Sequence, residues 1–210
     1  MSQASLSIEP PMLAPEFLQY LNDAEFDSVF PPELQALSQV HWTPVSVARR
    51  AAKFLVTDER TRVLDIGCGP GKFCAIGASA TEGQFTGVEQ RAHLITAAER
   101  MVRRYHLSRV QFIHANMQEV SFGDFDAYYL FNPFHEVLLR QAVRDAQDDA
   151  NERLYAAYNA HVRQELEKRP LATRVATYWC DGDEIPDSYD CVSTAFSGSL
   201  RMWVRTRGVP

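Results

Sequence analysis

The sequence lacks the features that define several classes of protein. Its formal net charge is -6, so it has no basic excess of the kind that dedicated nucleic-acid binders usually carry. The cysteines, Cys68, Cys74, Cys180 and Cys191, form no CxxC pair, and no Cys/His cluster has metal-ligand spacing. We therefore expect reduced thiols and no metal site. The charge balance argues against tight non-specific binding to DNA or RNA, although it does not exclude a local basic surface.

No segment has the character of a membrane span or a secretory signal. The first twelve residues, MSQASLSIEPPM, combine no basic region with an apolar one, as a signal peptide would. No run approaches the ~20 apolar residues of a transmembrane helix. The chain has 210 residues, of which 46% are hydrophobic and 23% charged, which is typical of one globular domain. These properties predict a soluble, cytoplasmic protein without a membrane partner.

The amino-terminal part differs in pattern from the rest. Residues 1 to about 15 are polar and predict a loose arm, and Pro15–Leu37 predicts one or two short helices that act as a lid or as an interaction surface. We assign residues 1–40 to this arm and helical extension, and residues 41–210 to the main domain. Thr43 and Pro44 predict the start of a helix that runs to about Val56, with Thr43 as its N-cap.

Apolar, β-branched runs alternate with helical segments through the main domain. Glu136–Lys168 is strongly helical in pattern, with a predicted break at Asp148–Asn151, and Ser197–Ser199 predicts a hairpin turn. Strands that alternate with helices imply βαβ units. The fold class is therefore α/β: a doubly wound, mostly parallel seven-stranded sheet with a terminal antiparallel hairpin. The predicted parallel strands are Arg62–Ile66, Gln84–Val88, Val110–His114, Asp126–Phe131 and Leu171–Cys180.

Candidate binding groups follow the ends of four successive strands. They are the segment Asp65–Gly71, the acid Glu89, the pair Asn116 and Met117, and the segment Asn132-Pro133-Phe134. Ligands of open α/β sheets bind beyond the carboxyl ends of the strands, so these groups are expected to share one site. The glycines have a physical reason, because a ligand that lies against the backbone leaves no room for a Cβ atom. An acid at the end of the second strand suits the two hydroxyls of a ribose.

The segment Val63-Leu-Asp-Ile-Gly-Cys-Gly-Pro-Gly71 resembles the first motif of class I S-adenosylmethionine-dependent methyltransferases, and Thr86-Gly-Val-Glu89 resembles their second motif. This resemblance implies a Rossmann-like methyltransferase fold with S-adenosyl-L-methionine as cofactor. It implies that Asp65 holds the methionine end, that Glu89 binds the ribose, and that Asn116 and Met117 edge the adenine. The implied cofactor-binding residues are Thr43, Asp65, Gly67, Cys68, Gly69, Gly71, Glu89, Gln90, Asn116, Met117 and Asn132.

The fourth strand end predicts the acceptor side. The segment Tyr128–Phe134 resembles the Asn-Pro-Pro-aromatic signature of methyltransferases that act on planar nitrogens, with one proline missing. The resemblance implies Asn132, Pro133 and Phe134 as catalytic residues that position the acceptor. The layout is also similar to a broader group of protein-lysine methyltransferases. The acceptor is therefore expected to be a nitrogen of a protein or a small molecule. His135 and Glu136 fit either a general base with its neighbour or the start of a helix.

Three alternatives to this enzyme stay open. A nicotinamide-binding domain would carry G-x-G-x-x-G, whereas this chain has G-x-G-x-G after Asp65, and it offers no second domain for a substrate. A catalytically silent methyltransferase-like module would use the cofactor pocket or the amino-terminal arm to hold a partner. A nucleic-acid N-methyltransferase would bind RNA or DNA with a steep salt dependence.

Overall fold

The structure is a computed structural model. It describes residues 14–36, 38, 42–131, 147–180 and 182–208, and for residues 147–152 it describes the backbone only. The helices are α1 (Asp23–Asp27), α2 (Pro32–Gln35), α3 (Val45–Leu55), α4 (Lys72–Ala80), α5 (Ala92–Tyr105) and α6 (Gln147–Glu167). Short 3-10 turns cover Pro15–Tyr20, Met117–Glu119 and Phe122–Asp124. The strands are β1 (Arg62–Ile66), β2 (Gln84–Glu89), β3 (Val110–His114), β4 (Ala127–Phe131), β5 (Arg174–Tyr178), β6 (Tyr189–Ala195) and β7 (Leu200–Arg205).

The described strands form one sheet in the order β3-β2-β1-β4-β5-β7-β6. Strands β1 to β5 pair in parallel, and β7 pairs antiparallel with both β5 and β6. This arrangement confirms the predicted fold class, including the terminal hairpin. Strand order reverses between β1 and β4, so the crevice that binds ligands in such folds is expected at their carboxyl ends.

Alternating side chains of the central strands enter two separate cores. On β4, Tyr129 packs into the core on the face covered by α3 and α4, whereas Tyr128 and Leu130 face the core covered by α6. Both tyrosine side chains are fully buried. A strand buried on both faces needs continuous apolar residues rather than alternation, which is why the β1 and β4 runs were recognisable in the sequence.

The amino-terminal extension packs into the core of the main domain. Leu18, Phe26 and Phe30 are buried in the same cluster as the apolar face of α3. Helix α1 begins with a capping box, in which Asn22 and Glu25 satisfy each other's backbone amides. The extension therefore has local start signals of its own and a firm apolar attachment.

One prediction about a helix end is wrong. Thr43 does not cap α3: it lies one residue before the N-cap position at Pro44, and its hydroxyl pairs with Tyr129 Oη at 2.9 Å. The backbone amide of Val45 instead donates to Asp23 Oδ1 at 2.8 Å, so a carboxylate from the extension supplies the cap.

The described part of helix α6 begins at Gln147, so Asp148–Asn151 lie in its first turn. The prediction of two helices divided at this cluster therefore stays a prediction. The part of the predicted helical segment before Gln147 lies outside the described residues. None of the described helices combines the length and the apolar character that a membrane span requires.

Candidate functional site

The glycine-rich turn between β1 and α4 is built on three left-handed glycines. Gly67, Gly69 and Gly71 have φ values of 73°, 55° and 82°, which residues with a Cβ rarely adopt. The amides of Gly67 and Cys68 both donate to the carbonyl of Val88 at 3.0 Å. These hydrogen bonds attach the turn to the carboxyl end of β2, so its backbone lies at the carboxyl ends of β1 and β2.

Two glycines allow close approach between layers. A Cβ on Gly71 would lie 2.4 Å from Phe112 Cζ, and a Cβ on Gly87 would lie 2.6 Å from Cys68 Sγ. Gly69 differs from both, because a Cβ there would meet no atom within 4 Å. Gly71 and Gly87 thus serve the packing of the chain, whereas Gly69 leaves open space on the crevice side.

Asp65 is a buried acid on the crevice side of β1. It is 3% exposed, and the Cys74 thiol donates to its Oδ2 at 3.5 Å. Burial raises the pKa of Asp65 to about 8, and the charge of Glu89 acts in the same direction. Burial also raises the pKa of both Cys68 and Cys74. At neutral pH, Asp65 is therefore mainly protonated, and a cation placed beside it would favour its ionised form.

The turn, β1 and β4 enclose a cleft beside Asp65. Thr43 lines this cleft and its hydroxyl pairs with that of the buried Tyr129, whose pKa burial raises well above its usual range. Tyr129 pairs in register with Asp65 and stacks on Phe73 with ring centroids 3.7 Å apart. The cleft is thus lined by the hydroxyl of Thr43, the acid Asp65 and aromatic side chains. Its lining residues are Trp42, Thr43, Asp65, Gly67, Cys68, Pro70, Lys72, Phe73 and Phe131.

A buried ion network ties the amino-terminal extension to the glycine-rich turn. Lys72 Nζ, on a side chain that is 3% exposed, donates to Asp23 Oδ1 at 2.8 Å and to Asp27 Oδ1 at 2.7 Å. The other oxygen of Asp27 accepts from the Ser38 hydroxyl. Asp23 also accepts from the amide of Val45. Helix α1 thereby holds the first turn of α4 and the start of α3 in one place.

Glu89 lies at the end of β2, as predicted, and its carboxylate is 3% exposed. Its Oε1 accepts from Arg91 N at 2.9 Å and from Arg91 Nε at 3.0 Å. Its Oε2 accepts from Arg91 Nη2 at 3.0 Å and from Gly69 N at 3.2 Å. Burial alone raises the pKa of Glu89, but the hydrogen bonds and charge of Arg91 outweigh burial and lower it below its ordinary value.

The predicted adenine edge lies after β3. Asn116 caps the Met117–Glu119 turn: its Oδ1 accepts from Gln118 N at 3.0 Å, and its Nδ2 donates to Tyr158 Oη at 2.7 Å. Glu119 completes a capping box with Asn116, so the Asn116 side chain is engaged by the turn that it begins. Met117 is buried, and Gln90 is exposed with its carbonyl near His114 Nε2 at 3.1 Å.

The predicted acceptor residues Asn132, Pro133 and Phe134, and also His135 and Glu136, lie outside the described residues. Phe131, the residue before Asn132 in the sequence, packs against Tyr178 with ring centroids 4.9 Å apart. Past the end of β5, Glu184 is 4% exposed, and its Oε1 has no hydrogen-bond partner in the described part of the chain. Burial raises the pKa of Glu184. The carboxyl ends of β4 and β5 thus carry aromatic rings and one buried acid.

A larger cavity of about 860 Å³ lies elsewhere, at the amino ends of the strands. Its lining includes Arg62, Gln84 and Val110, the first residues of β1, β2 and β3. Side chains at that end serve stability in open parallel sheets, and ligands bind at the carboxyl ends. We therefore place the functional site at the smaller cleft beside the glycine-rich turn.

Sequence reasoning missed Lys72, Tyr129 and Arg91. Lys72 had a usable signal, because a cation in the first turn of a helix opposes the helix dipole and so calls for an acidic partner. Tyr129 could have been found from the strand register, which sets it beside Asp65. Arg91 had no such signal, because the bond to Glu89 depends on how the backbone turns after β2.

The fold and the cleft define an α/β domain that binds a nucleotide-like cofactor at the carboxyl ends of its central strands. Residues 63–154 match a family model described as a methyltransferase domain. This match supports the class I S-adenosylmethionine-dependent methyltransferase superfamily for the matched segment. A methyltransferase domain indicates S-adenosyl-L-methionine as the cofactor.

Solved structures show the same fold at low sequence identity. An RNA methyltransferase from Salinibacter ruber in complex with S-adenosyl-L-homocysteine is 17% identical, with a TM-score of 0.57, over 80% of this chain and 95% of that one. TrmN from Thermus thermophilus is 16% identical, with a TM-score of 0.56, over 77% of this chain and 48% of that one.

The bifunctional kinase-methyltransferase WbdD is 13% identical, with a TM-score of 0.52, over 79% of this chain and 40% of that one. The chain thus spans less than half of TrmN and of WbdD. No curated protein matches the sequence. At these identities the likeness concerns the fold, and the acceptor has to be argued from the site.

Proposed function

We propose that the protein is an S-adenosylmethionine-dependent methyltransferase that transfers the methyl group to a nitrogen of a protein or small molecule. The observation that carries this proposal is the arrangement of the glycine-rich turn between two buried acids. Asp65 lies on β1 and Glu89 at the end of the adjacent β2, and the amide of Gly69 joins the turn to Glu89. A cofactor with an ammonium group at one end and a ribose in its middle needs acceptors at both places.

The residues present fit this cofactor. The open space at Gly69 gives a ligand access to the backbone of the turn. Asp65 offers a carboxyl group to an ammonium, and Thr43, whose hydroxyl pairs with that of Tyr129, lines the same cleft. When bound, S-adenosylmethionine supplies a methyl group made electrophilic by the sulfonium. The protein then contributes positioning and exclusion of water.

The acceptor side rests on the residues that follow β4. Phe131 lines the cleft, so the chain continues from the donor site directly into Asn132, Pro133 and Phe134. In this proposal, the Asn132 side chain and the backbone carbonyl after it orient a nitrogen lone pair toward the methyl group. We expect Asn132→Ala to lower turnover by a larger factor than it lowers cofactor affinity.

RNA is the second candidate acceptor. The similarity to the Salinibacter ruber enzyme, which covers 95% of that chain, supports it, whereas the net charge of -6 argues against it. Binding of RNA would weaken steeply with added salt, and indifference to salt would exclude this candidate.

Calorimetry with S-adenosylmethionine and S-adenosylhomocysteine tests the donor site. Glu89→Ala should weaken binding at least about tenfold, because hydrogen bonds to a charged group contribute roughly 1.5–3 kcal/mol each. Glu99→Ala is the matched control, because Glu99 forms an exposed pair with Arg103 on α5. Equal affinity of the Glu89→Ala variant and the parent would contradict the ribose contact. Cofactor binding without turnover on any acceptor panel would instead indicate a silent binding module.

A further inference from the structure

Glu89 has no acceptor position left for a ribose in this structure. A carboxylate offers about four lone-pair positions, two on each oxygen. Oε1 accepts from Arg91 N and Arg91 Nε, and Oε2 accepts from Arg91 Nη2 and Gly69 N. Four donors thus fill the four positions of the acid that is expected to bind the cofactor.

These four donors fall into two pairs. The amides of Arg91 and Gly69 belong to the backbone, one on each carboxylate oxygen, and they hold the carboxylate in its orientation. The guanidinium supplies the other two bonds, both at 3.0 Å and again one on each oxygen. If the Arg91 side chain left, one acceptor position would open on each oxygen.

The two hydroxyls of a ribose need that same pair of positions. Each hydroxyl of a vicinal diol would donate to one carboxylate oxygen, as the two arms of the guanidinium do now. The two partners therefore cannot bind Glu89 at full strength together. The acid itself cannot relieve the conflict by turning to water, because its side chain is only 3% exposed, whereas that of Arg91 is 34% exposed.

We propose that Arg91 is an internal competitor for the ribose subsite, and that binding of the cofactor exchanges its guanidinium for the two ribose hydroxyls on Glu89. The inference rests on the proposed function, since it concerns the same donor site. The exchange leaves no acceptor position of Glu89 empty, because the diol takes the two positions that the guanidinium vacates, while the released guanidinium can be hydrated. Arg91 therefore lowers the affinity of the site without contacting the cofactor in the bound state.

The test measures S-adenosylhomocysteine affinity of the parent chain, Arg91→Ala and Arg91→Lys by calorimetry. We expect Arg91→Ala to bind about tenfold more tightly, because the ligand no longer displaces two charge-assisted bonds. Arg91→Lys keeps the positive charge but loses the two-armed geometry of the guanidinium, so its gain in affinity should be smaller than that of Arg91→Ala. The matched control is Arg62→Ala, which removes the same kind of two-armed contact, from Arg62 Nε and Nη2 to Asp126 at 3.0 and 2.9 Å, at the other end of β1. Its affinity should equal that of the parent.

A second comparison separates competition from a general loosening of the site. Adenosine and 2′,3′-dideoxyadenosine differ in the diol alone, so the preference for adenosine should rise about tenfold in Arg91→Ala if Arg91 competes with the diol. An equal gain for both nucleosides, or an unchanged or weaker affinity for S-adenosylhomocysteine, would overturn the proposal. If neither the parent nor Arg91→Ala binds S-adenosylhomocysteine at millimolar concentration, the proposed function fails and this inference with it. Binding by the parent with no effect of Arg91→Ala contradicts the inference alone.

Discussion

The buried acid Asp65 makes the stability of the folded protein depend on pH in an unusual direction. Its ordinary pKa of 3.8 is raised to about 8 in the folded protein, mainly by burial. Between these two values, the unfolded chain loses the proton and the folded chain keeps it. Stability then falls as the pH rises, because the folded state binds more protons than the unfolded state. Below about pH 4, Asp65 is protonated in both states, and above pH 8 it is ionised in both, so the slope is confined to that window.

The size of the effect follows from the distance between the two pKa values. Each pH step of one costs the folded state about 1.4 kcal/mol inside the window, so raising the pH from 5 to 7 should remove about 3 kcal/mol. Asp65→Asn has no proton to lose and should escape this penalty. The free energy of unfolding of Asp65→Asn, relative to the parent chain, should therefore increase by about 3 kcal/mol over that range.

Urea denaturation of both proteins at several pH values between 4 and 9 measures this difference. Asp126→Asn is a control of opposite sign, because the Arg62 guanidinium lowers the pKa of Asp126 below its ordinary value. Its stabilising contribution is lost only as the pH falls below the ordinary pKa of 3.8, so Asp126→Asn should differ from the parent by a constant amount between pH 5 and 8. A difference between Asp65→Asn and the parent that stays constant from pH 5 to 8 would refute the reasoning, because Asp65 would then be ionised in the folded chain.

Two further predictions concern packing around the glycine-rich turn. Lys72→Met leaves the carboxylate of Asp27, which is 7% exposed, without its buried cation, and should lower the free energy of unfolding in urea by ~3 kcal/mol. Adding Asp27→Asn should recover part of that loss, and strictly additive losses would contradict the pairing. Gly71→Ala should cost ~3 kcal/mol, because it combines a φ of +82° with a Cβ only 2.4 Å from Phe112. Gly198→Ala, with φ +87° and no atom within 4 Å, isolates the backbone part, so an equal loss in both variants would exclude the steric contribution.

The strands of the parallel sheet were predictable because each is a short apolar run that carries its own signal. The hairpin was equally local, since Ser197-Gly198-Ser199 separates two strand-like segments, and β6 and β7 pair across it. The acid at the end of β2 was predicted from its place after the strand. In each of these cases, the information lies within a few residues of the feature.

The failures share a different property, which is that the deciding partner lies far away in the sequence. Thr43 has the chemistry of an N-cap, but Asp23 provides the cap of α3, and Tyr129 takes the threonine hydroxyl. Lys72 meets Asp27 only after the extension has folded back over α4. Local propensity gives no account of such pairs, because they depend on tertiary packing that overrides it.

The charged groups around the glycine-rich turn differ in what balances their charge. These differences affect how the site would accept a cationic cofactor. Lys72 is neutralised by two carboxylates of the extension, so it is committed to structure. Glu89 is neutralised by an arginine that is one-third exposed, so its partner is exchangeable. Asp65 forms no ion pair with any described residue, and it is held neutral by burial. An ammonium beside Asp65 would lower the pKa of this acid and favour loss of its proton. A ribose bound to Glu89 would release the Arg91 guanidinium. Asp65 would thus acquire its charge, and Glu89 would change its partner, only as the cofactor enters, while the Lys72 network keeps the turn in place.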